Sequence, residues 1–281
     1  MEIKTLKSTE MKDLLQAFNS SFTNYFVPLK YNLEQLQSKI ARENIDLDLS
    51  IGVFKDDLLV AFMLHGVDTV NGEKAIYNAG TGVIPEERSK GLSQKMYEFI
   101  IPILKDQQFS YSILEVISEN QAARKSYENS GYKPIRDLWC YYGKPSVSKS
   151  NLDIQIREMK EFNWDLMKSF WDISPSWQNS QYSLSRVGEK LVSLAAYLGE
   201  KQVAYILFNP EKNRVLQLAV SKEHRNLGVA SSLIKEIVTN YSSTISINNI
   251  DEKGSCLHGF LNFLGLESEI KQIEMKLNLK G

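Results

Sequence analysis

Ile76-Tyr77-Asn78-Ala79-Gly80-Thr81-Gly82-Val83-Ile84-Pro85-Glu86-Glu87-Arg88-Ser89-Lys90-Gly91-Leu92-Ser93 passes from a β-rich run through a glycine turn into an amphipathic helix. The passage recurs as Val215-Leu216-Gln217-Leu218-Ala219-Val220-Ser221-Lys222-Glu223-His224-Arg225-Asn226-Leu227-Gly228-Val229-Ala230. Arg88 and Gly91 map onto Arg225 and Gly228 at one shared offset of 137 residues. Behind the first turn, Leu92, Met96, Phe99, Ile100 and Ile103 recur at helical spacing; Val229, Leu233, Ile234 and Ile237 do so behind the second. Such spacing puts one apolar stripe on one helix face. A repeat of this kind decides the architecture before any single motif does.

Downstream, each helix is followed by a β-rich run, Tyr111–Ile117 and Thr244–Ile250. A short helix then ends at Gly131-Tyr132 in one half and at Gly265-Leu266 in the other. Upstream, a strand (Ile3–Leu6; Ile154–Arg157) precedes an amphipathic helix, marked in the first half by Met11, Leu14, Leu15, Phe18 and Phe22. Two hairpins follow: Leu47–Phe54 with Leu58–Gly66 around Lys55-Asp56-Asp57, and Val192–Leu198 with Gln202–Phe208 around Gly199-Glu200-Lys201. Each half therefore reads as a mixed α/β (α+β) unit with a mostly antiparallel sheet flanked by helices. The polar stretch Lys144–Asn151 reads as a connector. This gives a first domain over 1–145, a linker over 146–152 and a second domain over 153–281. Pro102 is expected to kink the long first-half helix, because proline removes a backbone donor.

Composition narrows the function. Thirty-three Lys and Arg against 34 Asp and Glu give a net charge of -1, without the basic excess that non-specific nucleic-acid binding needs. The longest apolar run, Leu58–Leu64, is far short of the roughly 20 residues that span a bilayer. Met1-Glu2-Ile3-Lys4 has no signal-peptide pattern, so no membrane partner and a cytoplasmic location are expected. Cys140 and Cys256 cannot make a disulfide framework, and His65, His224 and His258 share no metal-ligand spacing. No G-x-S-x-G, P-loop or dinucleotide fingerprint is present.

The repeated turn has a physical use. A glycine turn opening a helix gathers backbone N–H groups at the positive end of the helix, which suits phosphate or pyrophosphate. Glycine lets the backbone approach a ligand, and an arginine at the rim adds a charge-assisted contact. Val83–Ser93, with Asn120-Gln121-Ala122-Ala123-Arg124-Lys125-Ser126-Tyr127 and Gly131-Tyr132, resembles the GCN5-related N-acetyltransferases (the GNAT superfamily), and the resemblance covers both halves as a tandem pair. The family pattern Arg/Gln-x-x-Gly-x-Gly/Ala stands as Arg225-x-x-Gly228-x-Ala230 and, with serine last, as Arg88-x-x-Gly91-x-Ser93.

The resemblance implies acetyl-CoA as cofactor, with its pyrophosphate at Arg88, Ser89, Lys90, Gly91, Leu92 and Ser93. The pantetheine arm would then lie along Thr81, Gly82 and Val83, with Asn120 and Ala123 beside it. Gly80 and Gly82 fit a bulge that would splay their strand from its neighbour. Val220, Arg225, Asn226, Leu227, Gly228, Val229 and Ala230 form a possible second cofactor site. The family's usual acid is a tyrosine four residues before the glycine-aromatic pair, which is Tyr127 here, and Asn120 both caps its helix and borders the cofactor. In the second half Leu261 and Gly254 stand at those places. The first half is therefore expected to catalyse and the second to be degenerate.

The family's glutamate base on the fourth strand would fall at Tyr77, or at Arg214 in the second half, and neither is a good base. His65 and Glu115 are candidates on neighbouring strands. The loop Ser20–Pro28 with Tyr31 either lines an acceptor groove or covers the core. Trp164, Trp171 and Trp177 point to a packed inter-domain surface or a partner site. The expected function is acetyl transfer from acetyl-CoA to a primary amine of a small molecule or peptide. A non-catalytic acyl-CoA-binding or sensor protein is the alternative, and a scaffold using the fold is a third. The oligomeric state stays open.

Overall fold

A computed structural model describes residues 1–23, 25–147, 153–186 and 191–280. In the first half, β1 (Glu2–Thr5) leads to α1 (Met11–Ser21) and α2 (Leu33–Arg42). Asn32 starts α2 with a reciprocal capping box, accepting from the Gln35 amide while the Gln35 side chain accepts from its own. Then come β2 (Ile51–Lys55), β3 (Leu58–Val70) and β4 (Glu73–Val83). Asp56 and Asp57 (φ 49 and 63) turn the first hairpin, and Asn71-Gly72 (φ 52 and 83) the second. Left-handed pairs of this kind match the twist of the flanking strands. Next are α3 (Leu92–Asp106), β5 (Tyr111–Ile117), α4 (Gln121–Asn129) and β6 (Lys133–Gly143). Pro102 lies inside α3, which runs on through it as one helix of 15 residues.

The second half repeats the order. It runs β7 (Gln155–Glu158), α5 (Trp164–Ser169), α6 (Gln181–Ser185), β8 (Val192–Leu198), β9 (Lys201–Asn209), β10 (Arg214–Val220), α7 (Val229–Asn240), β11 (Ile245–Asp251), α8 (Ser255–Phe263) and β12 (Glu267–Asn278). No helix among the described residues is long and apolar enough to cross a membrane.

By their contacts the residues divide into Met1–Arg136 with Ile273–Gly281, and Asp137–Gln272. The boundary read from the sequence at 146–152 is one of chain order, and 148–152 lie outside the described residues. The compact units instead exchange their last strands. In the first unit β1-β2-β3-β4-β5 are followed by the end of β12, and in the second β7-β8-β9-β10-β11 by the end of β6. Met275 and Leu279 accordingly lie in the first core with Met96, Tyr97, Ile100 and Leu114. Tyr141 lies in the second core with Val203, Ile206, Leu233 and Ile247. Each sheet is mixed: β4 with β5 and β10 with β11 run parallel, and the hairpins run antiparallel.

Candidate functional site

The parallel pairing in each sheet is brief. β4 meets β5 only at Ala75, Ile76 and Tyr77, and β10 meets β11 only at Arg214 and Val215. A bulge follows immediately in each case. Ala79 is the extra residue between Leu64↔Gly80 and His65↔Asn78, and Leu216 is extra between Val215↔Phe208 and Gln217↔Leu207. An extra residue bends a strand and increases its twist, so β4 and β10 part from their parallel neighbours just past these points. The sequence reading placed the bulge at Gly80 and Gly82, whereas Ala79 carries it. A Cβ on Gly82 would come within 2.5 Å of the Phe62 ring and 2.7 Å of Ser21 Cβ, so this glycine admits the close approach of α1.

At the glycine turns the two units match in backbone angles. Ser89 and Asn226 both have φ 60, Gly91 has φ 72 and Gly228 φ 77. A left-handed residue at the helix entry favours glycine. Neither α3 nor α7 has a side-chain cap, so their first-turn amides are not closed off by a neighbouring side chain. Nothing lies within 4 Å of where a Cβ on Gly91 would stand.

Arg88 is not aimed into the turn. Its Nε donates to the Val83 carbonyl (3.3 Å) and a terminal nitrogen to the Ser21 carbonyl (3.0 Å). Arg225 does the same with Val220 (3.2 Å) and Phe170 (3.0 Å), and adds an ion pair to Asp172 (2.6 Å). Each arginine ties the strand's end to the end of the unit's first helix. Lys90 is paired with Glu87 at 2.8 Å.

Beyond the turn, the first unit collects hydroxyls where the strands part. Tyr127 on α4 lies beside Thr81, and burial pushes its hydroxyl up from the ordinary phenol value. Asn78 Nδ2 donates to Thr81 Oγ1 (2.8 Å) and to the Tyr97 hydroxyl (2.6 Å). Tyr127 meets Tyr97 edge-on at 6.2 Å between ring centroids. Asn120 caps α4 by accepting from the Ala123 amide (3.1 Å). The Tyr25 hydroxyl, from the loop between α1 and α2, comes near Asn120. Ser126 Oγ donates to Ser93 Oγ (3.0 Å), linking α4 to the first turn of α3. Tyr127 and Asn120 on α4 thus come near Thr81 and Tyr25, and Ser126 ties the same helix to Ser93.

The second unit has a different interior at the same place. A cavity of about 600 Å³ runs from Asn226, Gly228 and Val229 to Gly254, Cys256 and Phe260. Leu261 is fully buried, and Gly254 starts α8 without a side-chain cap. Trp171 borders the cavity and donates its indole N–H to the Tyr205 hydroxyl. Trp177 is buried, and Trp164 packs against the cluster around Met167. The tryptophan-rich segment is therefore part of the second unit's own core and cavity wall.

Of the two candidates for a base, His65 is buried, with Nδ1 2.8 Å from the Leu49 carbonyl, and burial lowers it to about 4. Glu115 on β5 accepts from the Tyr77 hydroxyl, a pairing that sequence reasoning did not anticipate. Alternation along β4 and β5 was the available signal. Ile76, Leu114 and Val116 enter the core beneath α3, which sends Tyr77 and Glu115 to the other face.

A model described as the acetyltransferase (GNAT) family matches residues 11–132 and 156–245. The chain belongs to that family. It is similar in structure to a GCN5-related N-acetyltransferase from Sphaerobacter thermophilus (TM-score 0.73, 13% identity, covering 100% of this chain and 96% of that one). It is also similar to a tandem GNAT protein from the clavulanic acid biosynthesis pathway (TM-score 0.75, 10% identity, 100% and 99%). A third similar structure is a GCN5-related N-acetyltransferase from Kribbella flavida (TM-score 0.64, 14% identity, 98% and 70%). No curated protein sequence matches the chain.

Proposed function

We propose that the first unit transfers an acetyl group from acetyl-CoA to a primary amine of a small molecule or peptide by direct attack. The observation that carries this reading is the protonated Tyr127 hydroxyl beside Thr81, on the part of β4 that has left β5. Three features fit the cofactor. The edge of β4 beyond Tyr77 is unpaired toward β5, which leaves main-chain groups of Thr81, Gly82 and Val83 for an extended arm. The start of α3 is uncapped and open over Gly91, which suits a pyrophosphate. Asn120 and Ala123 form the capped first turn of α4, the helix that carries Tyr127. Acetyl-CoA supplies an activated thioester.

This chain's residues do the rest. Arg88 braces the turn through Val83 and Ser21. Tyr127 stays protonated through the neutral range and donates a hydrogen bond to the sulfur as negative charge develops on it, completing proton transfer as the C–S bond breaks. The loop carrying Tyr25 and Tyr31 covers the acceptor's approach.

A second reading applies to the second unit. Its cavity, with Leu261 where a donor would stand, favours binding of an acyl-CoA without turnover. The test is thiol release from acetyl-CoA across an amine panel, together with thermal melting. Amine-dependent release and a raised Tm are expected, since a ligand of the folded state adds RT ln(1 + [L]/Kd). Melting unchanged at millimolar acetyl-CoA contradicts both readings.

A further inference from the structure

We propose that Glu115 receives the acceptor's ammonium group and removes its proton, so that the acceptor enters as a cationic amine on the sheet face opposite α3. The inference rests on the acetyl-transfer reading of the first unit and assigns its missing base.

Glu115 Oε2 accepts from the Tyr77 hydroxyl, and Oε1 meets no hydrogen-bond partner although it is buried. An unpaired buried carboxyl oxygen is costly unless something satisfies it. The neighbouring carboxylates are already satisfied by cations. Glu43 pairs with Lys39 (2.5 Å) and Arg42 (2.7 Å), and Glu274 pairs with Arg136 (2.8 Å). The hydrogen bond to Glu115 comes from a phenol, and Arg136, which pairs with Glu274, acts on it through charge only. A ligand's N–H⁺ would complete it as lysine and arginine complete the others.

Position supports the same role. Tyr77 is the last residue of β4 paired to β5, opposite Ile113, and Glu115 stands two residues further along β5. The carboxyl therefore lies where the strands begin to part, on the face away from α3. Arg42 lies close to Tyr31 and Tyr77, which brings the end of α2 and the loop before it onto that face. The Tyr77 hydroxyl on β4 thus reaches a carboxyl supplied by the next strand.

The groups facing Glu115 are Tyr77 on β4, Glu43 at the end of α2, Arg136 on β6 and Glu274 on β12. Burial first, then Glu274, raises its carboxyl to about 8. A base is most effective when its pKa is near the working pH. The step balances. Glu115 takes one proton from the ammonium. The freed nitrogen bonds to the thioester carbonyl carbon, and the C–S bond breaks. The sulfur takes the Tyr127 proton, the nitrogen's second proton restores Tyr127, and the proton on Glu115 leaves to solvent.

The test uses the full chain with tyramine, spermidine and a short peptide with a free N-terminus as acceptors. It records kcat/KM against pH and acetyl-CoA affinity by calorimetry. Glu115→Gln is expected to lower kcat/KM about a hundredfold or more for whichever amine the wild type accepts, with acetyl-CoA affinity unchanged. Tyr77→Phe removes a bond that favours the charged carboxylate, so its pH profile should move to higher pH and recover there. If Glu115→Gln stays within threefold of the wild type, or loses acetyl-CoA affinity along with its rate, the base assignment is overturned and the acetyl-transfer reading stands. If the wild type transfers to none of the amines, the acetyl-transfer reading fails and the assignment falls with it.

Discussion

The buried His65 and the half-buried Glu115 of the first unit should pull its stability in opposite directions with pH. His65, lowered from 6.5 to about 4, is neutral in the folded state. Its contribution is whole above about 6.5 and is lost as pH falls toward 4. Glu115 is raised from 4.5 to about 8, so the folded state holds a proton that the unfolded chain has released. Stability from this group is whole below about 4.5 and is lost as pH rises through 8. Glu115→Gln, which mimics the neutral acid, is expected to melt with the wild type near pH ~5 and above it near pH ~9. A Tm difference that does not change with pH contradicts the assignment. Tyr127, Asn120 and Thr81 enter the proposed site from the sequence itself, because short, local spacings from the glycine turns mark them. Glu115 was only one candidate there, since its partner Tyr77 lies 38 residues away and only strand pairing brings the two together.

At the scale of the element, the strand, bulge, turn and helix form one device built twice. Most of it follows from local chemistry: glycine where φ is positive, alternation in the strands, and helical spacing behind the turn. The Asn71-Gly72 hairpin was equally legible, being the strongest short hairpin signal, but it went unread behind the longer apolar run. The bulge residue was not legible, because Ala79 carries no bulge signature and β3 pairing alone reveals it. Gly82→Ala is expected to destabilise the first unit by about 1–3 kcal/mol through its clash with Phe62 and Ser21, as overpacking does. Gly91→Glu should instead abolish acetyl-CoA binding, at a smaller cost of about 1–2 kcal/mol for a left-handed non-glycine residue. Urea unfolding and calorimetry on both variants separate the two effects. Equal affinity in Gly91→Glu and wild type would contradict the turn's assigned role.

At the scale of the whole molecule, the repeat was legible and the strand exchange was not. Self-similarity in sequence reports two copies, but which sheet a terminal strand joins depends on contacts distant in the chain. Ile273–Gly281 supplies Met275 and Leu279 to a core otherwise built from residues before 137. A chain ending at Gln272 should therefore lose acetyl transfer and the first unit's cooperative melting, although it keeps every candidate site residue of that unit. Retention of full activity by that chain would contradict the exchange. For the same reason, fragments cut near residue 148 are expected to fold poorly, each lacking the strand that completes its core.

In the proposed function the first unit transfers acetyl groups while the second unit does not. The most direct test is kcat at saturating acetyl-CoA for full-length Tyr127→Phe beside full-length Gly228→Glu. Removing the Tyr127 hydroxyl should lower kcat at least tenfold, with a smaller change in KM, whereas Gly228→Glu should leave kcat within about twofold of the wild type. A fully active Tyr127→Phe together with an inactive Gly228→Glu would place the chemistry in the second unit and contradict the account.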